Sequence, residues 1–228
     1  MSAAAPAPRT ARGLLLDIGG VVLQPGPVLV ARLAREDARV AAVVQPLGGL
    51  GGEHDDLWHR MLAHEVSERA YWAQRSPELV AALGTPGGGT RELMDVLYGG
   101  PSDGWLQHEV LALMADVRAA GLPLGALTND LAAFHREEWV EQQAWLHLFD
   151  VVVDASRTGV LKPDPRAFAA ATQALGLPPE DVVFLDDMPW NVHGGLAAGL
   201  QAIRLEHGRP GPGLAEARRR LGLAVHTP

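Results

Sequence analysis

Four groups of residues in this chain have the types and order needed to bind and transfer an anionic group. They are Asp17 in Leu14-Leu15-Leu16-Asp17-Ile18-Gly19-Gly20, Thr128-Asn129 after Ala126-Leu127, Lys162 in Leu161-Lys162-Pro163, and Asp186-Asp187 after Phe184-Leu185. Lys162 is the one lysine; every other basic residue among the 19 Lys plus Arg is arginine. An ammonium is a compact point charge with three rotatable donors, whereas a guanidinium is a wide planar fork. Position 162 therefore asks for an ammonium, although a genome rich in arginine codons could also leave a single lysine by chance. Asp17 and Asp187 would hold Mg²⁺, a hard cation that takes oxygen ligands and commonly accompanies phosphate. Thr128, the backbone around Asn129 and the ammonium of Lys162 would bind phosphoryl oxygens. The free oxygen of Asp17 could attack phosphorus, since carboxylates are competent nucleophiles for phosphoryl transfer.

The elements that must position these groups can be read from the apolar pattern. Five short apolar runs predict buried strands over 14–17, 122–128, 151–154, 182–186 and 201–205. They are apolar on both faces, which favours parallel strands covered on two sides. Helical spacing over 105–120 ends at Gly121, and Asn129-Asp130 can cap a helix over 131–148. Asp164-Pro165 opens another that ends near Gly176, and Pro189 opens one that ends near Gly199. This alternation predicts an α/β fold, a doubly wound Rossmann-like parallel sheet. All four polar groups then fall at the carboxyl ends of strands, where such sheets place their ligands.

Residues 24–104 break the rhythm. Helices are expected over 28–44, 55–64 and 67–74, with Gly/Pro loops at 46–52 and 84–89 and no strand. The division expected is a flexible tail over 1–12, an α/β core over 13–23 and 105–228, and an inserted helical cap over 24–104. Gly48-Gly49-Leu50-Gly51-Gly52 lacks the Lys-Ser/Thr of a phosphate-binding loop.

In order and spacing, with a helical insertion after the first, the four motifs resemble the haloacid dehalogenase superfamily of hydrolases. The resemblance covers nearly the whole chain from Gly13 to Leu205. It implies that Asp17 becomes an aspartyl phosphate, Thr128 and Asn129 bind phosphate, and Lys162 steadies both nucleophile and phosphate. Asp187 and Asp186 would anchor magnesium, joined by Asp17 and the backbone carbonyl of Gly19, with Asn191 ordering the metal loop from behind. Phe184-Leu185-Asp186-Asp187-Met188-Pro189-Trp190-Asn191-Val192 and His64-Glu65-Val66-Ser67-Glu68-Arg69-Ala70-Tyr71-Trp72 are similar to the phosphatase domain of soluble epoxide hydrolases and its sugar-phosphate relatives.

One position departs from that pattern. Phosphatases of the family carry a second aspartate two residues after the nucleophile, and here that residue is Gly19. A general acid–base of this kind contributes about 10²–10⁴-fold. Some members of the superfamily, the sugar-1-phosphate-like group among them, resemble this chain in carrying Gly there. The expectation is a phosphatase of small phosphorylated metabolites that favours good leaving groups, or one whose acid comes from elsewhere. Alternatives are a catalytically weak homologue that binds a phosphorylated ligand or partner without turnover, and a 2-haloacid dehalogenase. The paired Asp186-Asp187 argues against the last, which needs no metal. A signalling receiver domain shares the residue types but in another chain order.

Taken singly, each motif has a plain structural reading as a turn, a helix cap or a loop; the case lies in their combination. His54, His59 and His64 recur every five residues, a spacing that walks around a helix and does not converge. Glu53, His54, Trp58 and Arg60 are candidates for substrate selection. A net charge of −8 argues against a nucleic-acid binder with its basic face, and the absence of cysteine excludes disulfides and thiolate metal sites. No apolar run reaches about 18 residues, so no membrane span is expected and the cytoplasm is the default location. Arg218-Arg219-Arg220 reads as a solvated helix end. A homo-oligomer is possible from the sequence, and the substrate cannot be read from it.

Overall fold

A computed structural model of the chain describes residues 10–85 and 87–225. Five strands form one parallel sheet: β1 Gly13–Leu16, β2 Leu124–Thr128, β3 Val151–Asp154, β4 Val182–Asp186 and β5 Gln201–Arg204. Their order is β3-β2-β1-β4-β5. The chain winds outward from β1 to one side and then returns to the other, so β1 has β2 and β4 as neighbours. That reversal makes the crevice at the carboxyl end of β1 the natural ligand position. β1, β2 and β4 are buried along their whole length, as their unbroken apolar runs require. β2 begins at Leu124 and not at 122, because Pro123 has no N–H to give to a ladder.

The sheet belongs to a unit made of the chain up to Leu23, Gln107–Ala132 and the chain from Glu137 onward. Its helices His108–Ala119, Pro165–Leu175, Pro189–Ala197 and Gly211–Arg220 follow the sequence signals closely, with Asp164 capping the second by accepting the Arg166 N–H. Residues 1–9 of the expected tail lie outside the described residues. Ala11 and Arg12 are not tail: Ala11 is buried, and their N–H groups donate to Arg220 and Asp181 carbonyls at 2.6 and 2.7 Å. Arg218 likewise departs from the solvated helix end expected of it. It is buried, bonded to Asp116 and to the Ala224 carbonyl.

The second unit comprises Gln24–Leu106 together with Ala133–Arg136. Its helices are Gly26–Glu36, Ala38–Val44, Asp56–Leu62, Glu68–Ala82 and Thr90–Leu97. The helix expected over 28–44 is two, because the Asp37 side chain accepts the Arg39 N–H and starts a new one. The one expected over 67–74 runs through Pro77 to Ala82, and Thr90–Leu97 was not anticipated. Buried Asp55 organises the unit by accepting from the Gly51 and Trp58 N–H groups, from the Tyr71 hydroxyl at 2.8 Å and from Arg75.

The helix expected over 131–148 is the clearest miss. It is broken into Leu131–Phe134, Glu137–Glu141 and a 3₁₀ segment over Ala144–Leu148. The break coincides with the four residues that join the helical unit. There Arg136 pairs with Asp95 at 2.6 Å and Glu92 at 2.9 Å, and His135 stacks edge-on against Tyr98. These tertiary bonds override a helical pattern, as tertiary context routinely overrides intrinsic propensity. No helix among the described residues is long and apolar enough to cross a membrane.

Candidate active site

Asp17 leaves β1 with its N–H bonded to the Leu185 carbonyl of β4 at 2.9 Å, so the strand pairing itself sets its position. Its two carboxylate oxygens are held differently. Oδ1 accepts the Ile18 N–H at 2.6 Å, and Oδ2 lies 3.0 Å from Lys162 Nζ. The same ammonium donates to Asp186 Oδ2 at 2.7 Å and lies over the Phe184 ring, 5.5 Å from its centroid. Its side chain is fully buried. Thus Lys162 bridges the carboxylates at the ends of two adjacent strands.

The loop carrying Lys162 is itself clamped. Asn129 Oδ1 accepts the Lys162 N–H at 2.8 Å and Asn129 Nδ2 donates to the Lys162 carbonyl at 3.1 Å. This pair of hydrogen bonds commits the Asn129 side chain to positioning the lysine loop. Buried Thr128 ends β2 directly before it, in register with Asp154 of β3. Asp154 in turn accepts the Ala132 N–H at 2.8 Å and the Ser156 hydroxyl at 2.6 Å, fixing the loop after β2.

Asp186 and Asp187 are adjacent but unlike. Asp186 accepts from Lys162, from the Met188 N–H at 2.9 Å and from Asn191 Nδ2 at 3.1 and 3.2 Å, so both its oxygens carry hydrogen bonds. Asp187 instead has Oδ2 3.0 Å from Nε2 of His207. One oxygen from each of Asp17, Asp186 and Asp187 lies within 4.8 Å of the others.

Gly20 is what lets the first loop approach. It has φ 72°, and a Cβ there would sit 2.2 Å from Asp187 Oδ2. Only glycine meets both demands. Gly19 is the opposite case: φ is −65° and ψ 132°, and a Cβ would meet nothing within 4 Å. Behind them, Gln107 Nε2 donates to the Gly20 carbonyl at 2.9 Å and the Leu23 carbonyl at 3.2 Å.

The electrostatics are unbalanced. Burial pushes the Asp17 carboxyl well above the usual carboxylate range; Lys162 offsets this in part, while Asp186 and Asp187 add to it. Burial raises Asp186 as well, against the pull of Lys162. Burial works against the Lys162 ammonium too, but Asp17 and Asp186 hold it above its ordinary value. Three carboxylates thus cluster where one ammonium contacts two of them. A divalent cation would remove the surplus negative charge, and an all-oxygen donor set is what Mg²⁺ takes. Asn191 Oδ1, buried with no hydrogen-bond partner, is a further acceptor that a hydrated ion could satisfy.

The geometry therefore brings Asp17, Lys162, Asp186, Asp187 and Asn191 into one network, with Thr128 and Asn129 beside it on the neighbouring strand. His54, His59 and His64 form no metal-competent group; among the described residues, Asp17, Asp186 and Asp187 are the only such trio. Sequence reasoning assigned no role to Gln107, Asp154 or His207. A polar residue opening the 105–120 pattern could have flagged Gln107, and a strand-ending carboxylate Asp154. Nothing marks His207, which lies in a loop.

A family model described as haloacid dehalogenase-like hydrolase matches residues 11–199. Phosphoserine phosphatase of Thermus thermophilus is 31% identical over 86% of this chain and 88% of its own length. Among solved structures, a hydrolase of the same type from Bacillus subtilis, bound to magnesium, covers 94% of this chain and all of its own, with TM-score 0.65 and 17% identity. A dehalogenase structure covers 88% of each chain, with TM-score 0.58 and 22% identity.

Proposed function

This chain belongs to the haloacid dehalogenase-like hydrolases, and from that premise we propose that it is a phosphatase of small phosphorylated metabolites, with Asp17 as nucleophile. The observation that carries the reading is the buried Lys162 ammonium between Asp17 and Asp186, in a cluster with more carboxylates than cations. The phosphatase relative at 31% identity supports it.

In this reading Thr128, the Asn129 backbone and Lys162 bind and orient the phosphoryl oxygens. One Asp17 oxygen forms a bond to phosphorus as the ester P–O bond breaks, and the leaving oxygen departs with the bonding pair. Water then attacks the aspartyl phosphate, giving inorganic phosphate and restoring the carboxylate. Magnesium, held by Asp17, Asp187, the Gly19 carbonyl and the Asp186 side of the cluster, would supply charge neutralisation and Lewis acidity. Lys162 and the Ile18 N–H fix the carboxylate plane, which is the positioning that phosphoryl transfer chiefly requires. The helical unit over 24–106 is proposed as the cap that selects the substrate, with the enzyme acting in the cytoplasm.

Gly19 supplies no side-chain acid to the leaving oxygen, so leaving groups that depart unaided (anomeric, aryl or acyl) are favoured. Gly19 also motivates a second reading, a homologue that binds phosphorylated ligands without turnover. The deciding experiment measures magnesium-dependent phosphate release from p-nitrophenyl phosphate by wild type and Asp17→Asn. Turnover in the wild type alone supports the phosphatase. A dead wild type that still binds phosphate supports the binding homologue.

A further inference from the structure

His207 was invisible to sequence reasoning, yet the fold delivers it to the acidic cluster. β5 pairs with β4 as far as Asp186 opposite Arg204, and the pairing continues one step, with the Leu205 N–H donating to the Asp186 carbonyl at 2.9 Å. Arg204 Nε reaches the Asp187 carbonyl at 3.3 Å. The chain then turns, the Arg209 N–H donating to the Glu206 carbonyl at 3.1 Å, with Gly208 left-handed at φ 71°. His207 is carried on that turn, and its Nε2 lies 3.0 Å from Asp187 Oδ2. The imidazole is 35% exposed while the Asp187 side chain is only 5% exposed, so the bond reaches from the surface to a buried carboxylate.

Asp187 has few other restraints. Asp186 is fixed by Lys162, Met188 and Asn191, whereas Gly20, which packs against Asp187, has no side chain to hold it. Carboxylates that bind metals are normally oriented by a hydrogen bond from behind. We propose that His207 is the positioning residue of the metal site: its Nε2–H holds Oδ2 of Asp187 and so aims the carboxylate at the cation. The inference rests on the phosphatase reading above and adds a residue to its metal centre. It requires only a proton on Nε2, present in the charged imidazole and in one neutral tautomer.

The test titrates Mn²⁺ alone into metal-free wild type, His207→Ala and His207→Gln, reading free Mn²⁺ by electron paramagnetic resonance, with Tm measured on each. Loss of an outer hydrogen bond to a metal ligand lowers affinity about 10- to 100-fold, and that is the drop expected for His207→Ala at unchanged Tm. His207→Gln keeps an N–H donor of similar reach and should stay within about threefold of wild type. A His207→Ala affinity equal to wild type, or tighter, overturns the proposal. So does equal weakening in both variants, which would make the imidazole itself a ligand. A wild type that binds no Mn²⁺ overturns the metal reading of the site, whereas normal wild-type binding with an indifferent His207→Ala overturns this inference alone.

Discussion

Each unit of the molecule buries an aspartate beside a single cation, and the two sites behave in opposite ways. In the helical unit Asp55 is fully buried and accepts from two backbone N–H groups, the Tyr71 hydroxyl and Arg75. Burial works against its charge, yet these donors together hold its carboxyl below the ordinary value. In the sheet unit Asp17 shares Lys162 with Asp186, has Asp187 nearby, and is held well above the ordinary range. One carboxylate with one cation and a full set of donors is architecture. Three carboxylates with one cation are an unfinished charge balance, a condition that clusters at functional sites.

The largest expected effect breaks the comparison at its functional end. Asp17→Asn should lower phosphatase turnover more than about 10³-fold, as loss of a nucleophile does. Removing one of three like charges should leave the Tm of the metal-free protein unchanged or raised, in line with the trade-off between activity and stability. A fall in Tm comparable to that of an Asp55 variant would mean that Asp17 is structural after all.

The structural end should fail the other way. Asp55→Ala leaves Arg75 without its partner in a largely buried position and removes the anchor of Gly51 and Tyr71. Breaking such a pair costs about 3–5 kcal/mol of stability, while kcat of the protein that remains folded should hardly change. The pH dependence follows from the lowered carboxyl. Its stabilisation is complete above the unfolded value of about 3.9 and is lost as pH falls through the still lower folded value. The Tm gap between wild type and Asp55→Ala should therefore be full at pH 7 and narrow below about pH 4. A gap that is constant down to acid pH would rule out the charge as its source.

How much of this could be read from the residues follows the same division. The strands and the residues at their ends were legible because fully buried parallel strands are continuous apolar runs, which here stop at the polar residues Asp17, Thr128 and Asp186. The helical unit was legible only as helical. Its break at Asp37 rests on a local side-chain cap that the helical pattern masked, whereas the break at 133–136 depends on ion pairs between Arg136 and residues 92 and 95, separations that no local pattern records. Within the site, the commitment of Asn129 to the Lys162 backbone and the approach of His207 are tertiary facts of the same kind.

Two adjacent glycines sharpen the contrast on a smaller scale. Gly20→Ala would place a methyl against Asp187 at φ 72°, a left-handed conformation that costs a non-glycine residue about 1–2 kcal/mol before any clash. Stability should fall by roughly that amount or more, and metal affinity with it as Asp187 is displaced. Gly19→Ala, in ordinary extended backbone with open space around it, should stay within about 0.5 kcal/mol of wild type. Equal losses in urea unfolding would remove the distinction between the two positions.

Because nothing in the packing requires glycine at 19, its absence of a side chain is a chemical choice open to reversal. Gly19→Asp places a carboxyl two residues after the nucleophile, on a Cβ that meets nothing within 4 Å. The full contribution of a general acid is about 10²–10⁴-fold, and a newly introduced one should recover a fraction of it. A rise of about tenfold in kcat, or about 1.4 kcal/mol of barrier, is the expected outcome for alkyl phosphates. Aryl phosphates, whose leaving oxygen needs little protonation, should gain less, so the alkyl-to-aryl ratio is the measurement that decides. If the ratio does not move, the wild type already receives its proton from another group, and the empty space at Gly19 is no defect in the chemistry.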